Sequence, residues 1–300
     1  MTGAMEQRPV LCIGSVLWDV IGRSASHMER GADVPGRITR VPGGVALNIA
    51  VALARLGLRP VLLSAVGRDA EGEDLVAACR ARGLDTGHLY RSADLPTDRY
   101  MAVEAANGLI AAIADAHSLE MAGARILAPL SDGRLGSKET PWPGLVVLDG
   151  NLTEDLLARI ATDPAFAAAD LRVAPASPGK AERLMPFLSH GRAVLYLNRE
   201  EAGLLAGRRL SGAREAAEHL IARGARRVVV TDGARPACDA GPAGVFEAQP
   251  PEVMVTRVTG AGDAFMAAHL AADAAGAPPD AALARALDAA AAHVSGETPS

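Results

Sequence analysis

Short runs of apolar residues alternate along the chain with longer stretches in which apolar residues recur every three or four positions. The runs are continuous, which is typical of strands covered on both faces. They predict strands over Val10–Ile13, Val61–Ala65, Leu145–Leu148, Leu171–Ala174, Val194–Leu197, Val228–Thr231 and Val253–Thr256. The periodic stretches predict helices over Val45–Leu56, Glu71–Arg82, Glu154–Thr162, Ala181–Leu188, Glu200–Ala206, Gly212–Arg223, Asp263–Ala275 and Ala281–His293. This alternation predicts an α/β fold with a doubly wound, mainly parallel sheet flanked by helices.

Two segments interrupt the alternation. The first, Ser24–Val41, shows no helical period. The second contains two strand-like runs, Tyr100–Ala105 and Leu109–Ala114, around Asn107-Gly108, a dipeptide typical of tight hairpin turns. We expect a small β-sheet lid formed by about residues 20–41 and 97–115, within a single domain over residues 1–300. Two decorated surface loops are the alternative.

Composition places the chain among ordinary globular proteins, with 49% hydrophobic and 22% charged residues. The formal net charge of −5 disfavours nonspecific binding of nucleic acid. The three cysteines lack the spacing of a zinc site or of a disulfide framework. The first apolar run, Val10–Val16, is too short and too interrupted by glycine for a signal peptide or a membrane span. We therefore expect a cytoplasmic protein with neither nucleic acid nor membrane as a partner.

A small-residue turn precedes the next-to-last predicted helix. Thr259-Gly260-Ala261-Gly262 leads into a helix that we expect to begin near Asp263. Small residues let backbone amides converge there, and the unpaired first amides of a helix attract anions such as phosphate. We expect Asp263 to be ionised at neutral pH, because the helix dipole favours its charged form, and to accept the proton of an attacking hydroxyl. A helix cap and a turn without catalytic function are the alternative.

A second pair of glycines precedes the first predicted helix. Gly43-Gly44 is followed by an apolar face that includes Val45 and Ile49, and Asn48 lies off that face. The side-chain amide of Asn48 offers both donors and an acceptor, as a sugar diol requires. A solvated polar position on a packing helix is the alternative. The chain lacks the GxxxxGK[ST] motif of P-loop kinases, and no GxGxxG follows the first strand, which disfavours a nucleotide-dependent oxidoreductase.

The two glycine motifs, taken together, resemble the two signatures of the ribokinase-like (PfkB) carbohydrate kinases. Their order and separation match that family, and further matches are Gly14-Ser15, Asp19, residues 64–69 and residues 198–201. The resemblance therefore covers nearly the whole chain. It implies a ribokinase-like fold with a β-sheet lid over the sugar. It also implies an ATP-dependent kinase that phosphorylates the hydroxymethyl group of a sugar or nucleoside.

The resemblance also implies roles for individual residues. The catalytic base corresponds to Asp263, and the anion hole corresponds to the backbone amides of Gly260, Ala261 and Gly262. Substrate binding is implied for Asp19, Gly43, Gly44, Asn48 and Thr97. Nucleotide binding is implied for Asn198, Thr231, Gly233, Thr259, Gly260 and Gly262, and Mg²⁺ binding through water for Glu201. The implied cofactors are ATP and Mg²⁺, with K⁺ as a further monovalent cation, and the implied partner is a small sugar or nucleoside. The apolar lid residues Ile110 and Ile113 predict a homodimer through the lid, and a cover over the site is the alternative.

Within the family, residues 41–45, 97–115 and 149–153 are most similar to the pseudouridine kinases, which implies conversion of pseudouridine to pseudouridine 5′-phosphate. Ribokinase-like, fructokinase-like and adenosine or inosine kinase-like activities are alternatives, as is a non-catalytic relative that binds a sugar or nucleoside. Four positions depart from the family pattern, namely Leu17, Ala174, Pro236 and Arg257. None of them removes the base or the anion hole, so we expect an active enzyme.

Overall fold

The structure is a computed structural model that describes residues 9–257 and 259–296; the first eight residues, Val258 and the last four residues lie outside it. The strands in the described part are β1 (Pro9–Ile13), β2 (Leu17–Arg23), β3 (Arg37–Gly43), β4 (Arg59–Leu63), β5 (Ala65–Gly67), β6 (Tyr90–Ser92), β7 (Arg99–Ala105), β8 (Gly108–Asp115), β9 (Leu145–Asp149), β10 (Asp170–Ala174), β11 (Val194–Asn198), β12 (Arg227–Asp232), β13 (Arg235–Gly241) and β14 (Gly244–Ala248). The α-helices there are α1 (Val45–Arg55), α2 (Ala70–Arg80), α3 (His117–Ala122), α4 (Glu154–Thr162), α5 (Met185–Leu188), α6 (Arg199–Ala206), α7 (Ala213–Ala222), α8 (Ala261–Ala274) and α9 (Pro279–Ser295). Short 3₁₀ helices cover Gly123–Leu130, Pro164–Phe166 and Pro178–Leu184.

The described strands form a large main sheet in the order β14-β13-β12-β11-β10-β9-β1-β4. All neighbouring pairs from β12 to β4 are parallel. The antiparallel strands β13 and β14 extend the sheet beyond β12. The predicted doubly wound, mainly parallel sheet is thus confirmed, and the sheet has in addition an antiparallel edge that the sequence did not predict.

Helices cover both faces of the main sheet. Successive side chains of a strand point to opposite faces, so Leu11 and Ile13 of β1 join one buried core while Val10 and Cys12 join the other. The helices α1, α2, α8 and α9 pack on the second of these cores, and α3 to α7 pack on the first. This double coverage explains why the parallel strands read as continuous apolar runs. In the described part of the chain, no helix is both long and apolar enough to cross a bilayer.

The winding of the chain places a crevice beside β1. From β1 the chain goes to β4 on one side, and it later returns to β9 on the other side of β1. Ligands of open α/β sheets bind at such a switch point, outside the carboxyl ends of the strands. Ser15 follows β1 at this edge, and Asp149 is the last residue of β9. Side chains from both strands therefore meet where a ligand is expected.

The described residues also form a separate small sheet in the order β3-β2-β7-β8. Strands β7 and β8 form the predicted hairpin, and Gly108 at its turn has a φ of 98°. Strand β2 was not predicted; it begins at Leu17, directly after β1, and pairs with both β3 and β7. The role of this small sheet as a lid stays a prediction.

Three of the predicted elements differ in the structure. The run Val253–Thr256 is not a strand: Met254 is 81% exposed, and the backbone amide of Thr256 donates to the carbonyl of Val294 at the end of α9. The predicted strand Val61–Ala65 breaks at Ser64, after which β5 pairs with β6. The predicted helix Ala181–Leu188 is a 3₁₀ helix followed by the single turn α5, because proline near the start of α5 lacks the N–H that a continuous helix needs.

Candidate active site

The first turns of α1 and α8 meet at the carboxyl edge of the main sheet. Asn48, one turn into α1, donates a hydrogen bond from Nδ2 to Oδ2 of Asp263 over 2.9 Å. Helices α1 and α8 pack against each other, which brings together two residues that are far apart in the sequence. The two motifs that the sequence singled out therefore form one site.

Helix α8 begins with free backbone amides. It starts at Ala261, two residues earlier than predicted, so Asp263 lies within its first turn. Gly260 precedes it with a φ of 88°, a conformation that favours glycine. No described side chain caps this helix, whereas Asp69, Thr153 and Asn198 cap α2, α4 and α6. The amides of residues 261–263 are thus available to an anion.

The carboxyl group of Asp263 has a strongly shifted acidity. Burial raises its pKa to about 7, the negative charges of Asp149 and Asp19 add to the rise, and the hydrogen bond from Asn48 opposes it. At a pKa of about 7 the carboxyl group is only partly ionised at neutral pH, so burial and two nearby carboxylates oppose the ionisation that was expected from the helix start. A pKa near the working pH suits a group that takes a proton during the reaction.

A second carboxyl group, Asp19 of β2, lies against a glycine of β3. A Cβ atom added to Gly43 would lie 2.0 Å from Oδ2 of Asp19, which is far inside van der Waals contact. Burial raises the pKa of Asp19 to about 6. Asp19 also raises the pKa of Asp263 through its charge, so the two carboxyl groups share one electrostatic environment.

The first backbone amides of α1 already donate hydrogen bonds to side chains of the protein, unlike those of α8. The N–H of Val45 donates to Oγ of Ser15 over 2.9 Å, and the N–H of Ala46 donates to Oδ2 of Asp149 over 2.9 Å. Gly44 adopts a φ of 101°, and a Cβ atom there would lie 2.5 Å from the carbonyl oxygen of Ser15. Gly44 therefore permits the close approach of α1 to β1.

Asp149 joins three elements of the site, although the sequence analysis gave it no role. Its buried Oδ2 accepts from the N–H and Oγ–H of Ser15, each over 2.8 Å, and from the N–H of Ala46. Its Oδ1 accepts from the N–H of Asn151 over 2.7 Å. A carboxylate that ends a buried strand was the available signal. Its partners were not visible, because they come from β1 and α1.

The residues expected to bind nucleotide and metal lie along the same edge of the sheet. Asn198 ends β11 and pairs with Thr231 of β12, and Gly233 follows β12 with a φ of 63°. The side chain of Asn198 accepts from the N–H of Glu201, and Oε2 of Glu201 accepts from the N–H of Asn198 over 2.8 Å. This reciprocal pair caps α6. Burial raises the pKa of Glu201 to about 7.

The described part of the chain contains no preformed cluster of metal-binding side chains. No group of three or more His, Cys, Asp or Glu side chains there is arranged to hold a metal ion. Mg²⁺ commonly binds through one or two carboxylates together with substrate phosphates and water. The edge near Glu201 therefore fits an ion that arrives with phosphates.

Thr97 is buried and bonded within the protein. Its hydroxyl donates to Oδ1 of Asp69 over 2.5 Å, and its N–H donates to Oδ2 of the same residue over 2.8 Å. Asp69 is also the cap of α2. Thr97 therefore ties the start of β7 to α2, and the structure gives its hydroxyl a partner inside the protein.

The loop before α8 is fastened to the end of α9. Nε2 of His293 donates to the carbonyl oxygen of Thr259 over 2.8 Å, and its ring lies against Gly260. Nε of Arg257 donates to the carbonyl oxygen of His293 over 2.7 Å. Thr259 itself is exposed. No local sequence pattern connects residues 34 positions apart, so the contact of His293 with this loop was not predicted.

Comparisons with known proteins agree with this geometry. The family described as pfkB family carbohydrate kinase matches residues 7–299. A pseudouridine kinase from Escherichia coli (strain K12) is 32% identical over 273 residues, which is 87% of this chain and 82% of that protein. A carbohydrate kinase from Agrobacterium tumefaciens has a similar structure, with a TM-score of 0.78, 29% identity, and coverage of 95% of this chain and 90% of that one.

A ribokinase from Arabidopsis thaliana, solved in complex with ribose and ATP, has the same fold. Its TM-score is 0.78 at 18% identity, with coverage of 95% of this chain and 92% of that one. The ribokinase-like architecture predicted from the sequence is thus confirmed. With a family match over nearly its whole length, the chain belongs to the PfkB carbohydrate kinases, and it is a sugar or nucleoside kinase that transfers a phosphoryl group to a hydroxyl group.

Proposed function

We propose that this kinase uses ATP to phosphorylate the hydroxymethyl group of a nucleoside, with pseudouridine as the substrate and pseudouridine 5′-phosphate as the product. The observation that carries the proposal is the contact between Asn48 and Asp263 beside the uncapped start of α8. It combines a sugar-binding amide, a base and a set of free amides within one helical turn of each other.

Asp263 takes the proton of the substrate hydroxyl in this proposal. As that oxygen attacks the terminal phosphorus, the hydroxyl proton passes to the carboxylate, whose pKa of about 7 suits acceptance at neutral pH. The amides of Gly260, Ala261 and Gly262, the last two of which are free at the start of α8, stabilise the negative charge that develops on the migrating phosphoryl group. Because phosphoryl transfer needs alignment more than covalent help, these fixed groups are sufficient.

The sugar ring is held between Asp19 and Asn48. Both side chains offer hydrogen bonds to neighbouring hydroxyls, and both lie at the junction between the small sheet and α1. The small sheet closes over the sugar as a lid and keeps out competing water. The identity with a pseudouridine kinase over most of the chain supports pseudouridine as the nucleoside.

ATP and Mg²⁺ complete the proposed site. The nucleotide lies along the carboxyl edge near Asn198, Thr231 and Gly233, with its terminal phosphate at α8. Glu201 would hold Mg²⁺ through water, and the bound ion would supply positive charge beside the phosphates. A monovalent cation beside the loop before α8, and a dimer formed through the exposed apolar residues Ile38, Met101 and Ile113 of the small sheet, belong to the same proposal.

A substrate screen tests the proposal. Purified protein is incubated with ATP, Mg²⁺ and one of pseudouridine, uridine, adenosine, inosine, ribose or fructose, and the products are identified by ³¹P NMR and mass spectrometry. We expect pseudouridine to give the highest kcat/KM and a 5′-phosphate monoester. A higher kcat/KM for ribose, fructose or adenosine would overturn the substrate and leave the kinase chemistry intact.

The non-catalytic alternative is tested by the same protein preparation. Calorimetry with each nucleoside and sugar reports binding without turnover. Binding of pseudouridine with no phosphorylated product, at saturating ATP and Mg²⁺ and with protein whose fold is verified by circular dichroism, would contradict the proposed activity.

A further inference from the structure

Lys180 is a half-buried cation at the carboxyl edge of the main sheet. It lies in the 3₁₀ helix Pro178–Leu184, which follows β10. Its Nζ donates to Oδ1 of Asn151, and among the described residues no acidic side chain forms an ion pair with it. A half-buried ammonium group that makes no direct ion pair is stabilised when an anion binds beside it.

Contacts connect this lysine to the start of α1. Nδ2 of Asn151 donates to Oγ of Ser15 over 2.9 Å. The same hydroxyl oxygen accepts from the N–H of Val45, the first residue of α1, over 2.9 Å. The ammonium group is thus three contacts from the helix that carries the sugar-binding amide of Asn48.

The charge of Asp149 acts on both Lys180 and the base. Burial and Arg183 lower the pKa of Lys180, whereas Asp149 raises it. Burial raises the pKa of Asp263, and Asp149 raises it further. Contacts also connect Lys180 to Asp149, because Asn151, which accepts from the ammonium group, donates its own N–H to Oδ1 of Asp149 over 2.7 Å. The ammonium group therefore lies on the side of the crevice where phosphoryl transfer is proposed.

We propose that the ammonium group of Lys180 binds the phosphates of the nucleoside triphosphate donor, an inference that rests on the kinase function proposed above. In the transfer, the substrate oxygen bonds to the terminal phosphorus and the bond to the bridging oxygen of the leaving diphosphate breaks. The hydroxyl proton goes to Asp263. Lys180 keeps its own proton and neutralises charge on the phosphate oxygens throughout.

The lysine content of the chain offers an internal control. The sequence contains Lys138 and Lys180 as its lysines. Lys138 is exposed in the loop between the 3₁₀ helix Gly123–Leu130 and β9. One lysine is therefore placed at the proposed phosphate site and the other is remote from it in the fold.

Amine-selective acetylation followed by mass spectrometry tests the proposal without measuring activity. The wild-type protein is labelled with and without a saturating, non-hydrolysable ATP analogue, and its binding is measured separately by calorimetry. We expect the analogue to slow acetylation of Lys180 at least fivefold and to leave Lys138 unchanged. Equal labelling of Lys180 in both conditions, with the analogue bound, would overturn the proposal.

Kinetics of variants provide the second test. Removing a charge that stabilises a transition state costs roughly 10²-fold in kcat. We expect K180M to lose about that much in kcat and to raise KM for ATP, K180R to recover part of the loss, and K138M to match the wild type. KM for the nucleoside stays within about twofold of wild type in K180M, because the amide of Asn48 is untouched.

The outcomes separate this inference from the proposed function. If K180M keeps wild-type kcat and KM for ATP, or if it raises the nucleoside KM as much as the ATP KM, Lys180 is structural and the inference is wrong. If the ATP analogue does not bind the wild-type protein, the proposed function itself fails. A K180M protein that does not fold leaves the labelling experiment as the deciding test.

Discussion

Asp19 and Gly43 fit together so closely that no larger residue than glycine leaves room for the carboxyl group. A Cβ atom at Gly43 would lie 2.0, 2.2 and 2.6 Å from Oδ2, Cγ and Oδ1 of Asp19. Strand pairing fixes the two backbones, since Leu17 faces Gly43 in the register of β2 and β3. The Asp19 carboxyl group can therefore occupy its position only because residue 43 has no side chain.

Gly43→Ala displaces this carboxyl group. We expect KM for the nucleoside or sugar to rise at least tenfold, because the displaced Asp19 no longer meets the substrate, while KM for ATP changes little. Steady-state kinetics in both substrates give the measurement. Gly191→Ala is the matched control, because a Cβ atom there meets nothing within 4 Å. A nucleoside KM that rises no more in Gly43→Ala than in the control would contradict this view.

Asn48→Leu removes the hydrogen bond that favours the charged form of Asp263. The pKa of Asp263 then rises above about 7, so the ionised base requires a higher pH. A hydrogen bond to a charged group contributes about 1.5–3 kcal/mol, which corresponds to about 1–2 pH units. We expect the acidic limb of the pH profile of kcat/KM to move upward by about one unit. An unmoved limb would show that Asn48 does not influence the base.

Asp149→Asn replaces one of two acceptor oxygens by an NH2 group that donates. In one orientation of the amide the N–H of Asn151 loses its acceptor, and in the other the donors of Ser15 and Ala46 lose theirs. We expect the free energy of unfolding to fall by about 2–4 kcal/mol, since unsatisfied buried polar groups are costly. Urea denaturation provides the measurement, with the exposed loop variant Asp94→Asn as a control. Equal stability of the two variants would argue against Asp149 as the link between β1, β9 and α1.

Asp263→Asn is expected to stabilise the folded protein at alkaline pH. The pKa of Asp263 is raised to about 7 from 3.8, so the folded state holds a proton between these values that the unfolded state releases. Stability therefore declines as pH rises from about 4 to about 7, and the full penalty is present above that range. We expect a gain of about 4 kcal/mol for the neutral variant at pH 8, from the shift of about three pKa units, and a much smaller gain at pH 4. A destabilised variant at pH 8 would contradict the shifted pKa.

The sequence predicted the central elements of the fold because their apolar patterns are strong. Strands β1, β9, β10, β11 and β12 are buried on both faces, and the pattern locates each to within two residues of its observed ends. It failed at Val253–Thr256, where an apolar run is exposed, and at β2, whose mixed residues carry no clear period. An apolar run predicts a strand correctly only where the run is buried and paired, and residues 253–256 are neither.

The site was predicted less completely than the fold. Glycines and polar residues at the two motifs identified Asn48 and Asp263, and packing of α1 on α8 brings them together. The pKa of Asp263 depends on burial and on the charges of Asp149 and Asp19. These charges act on Asp263 only because the fold brings the three residues close together. The same holds for His293 and its contact with the loop before α8. Effects that arise between distant segments leave no local pattern to read.

The most direct test of the central claim is the turnover of Asp263→Asn with ATP, Mg²⁺ and pseudouridine, measured together with the affinity for each ligand. We expect both ligands to bind within a few-fold of wild type, because the amide keeps the shape of the side chain. We expect kcat to fall by a factor of about 10² to 10⁴, the range that loss of a general base produces. A folded variant that phosphorylates its substrate at the wild-type rate would contradict the assignment of Asp263 as the base.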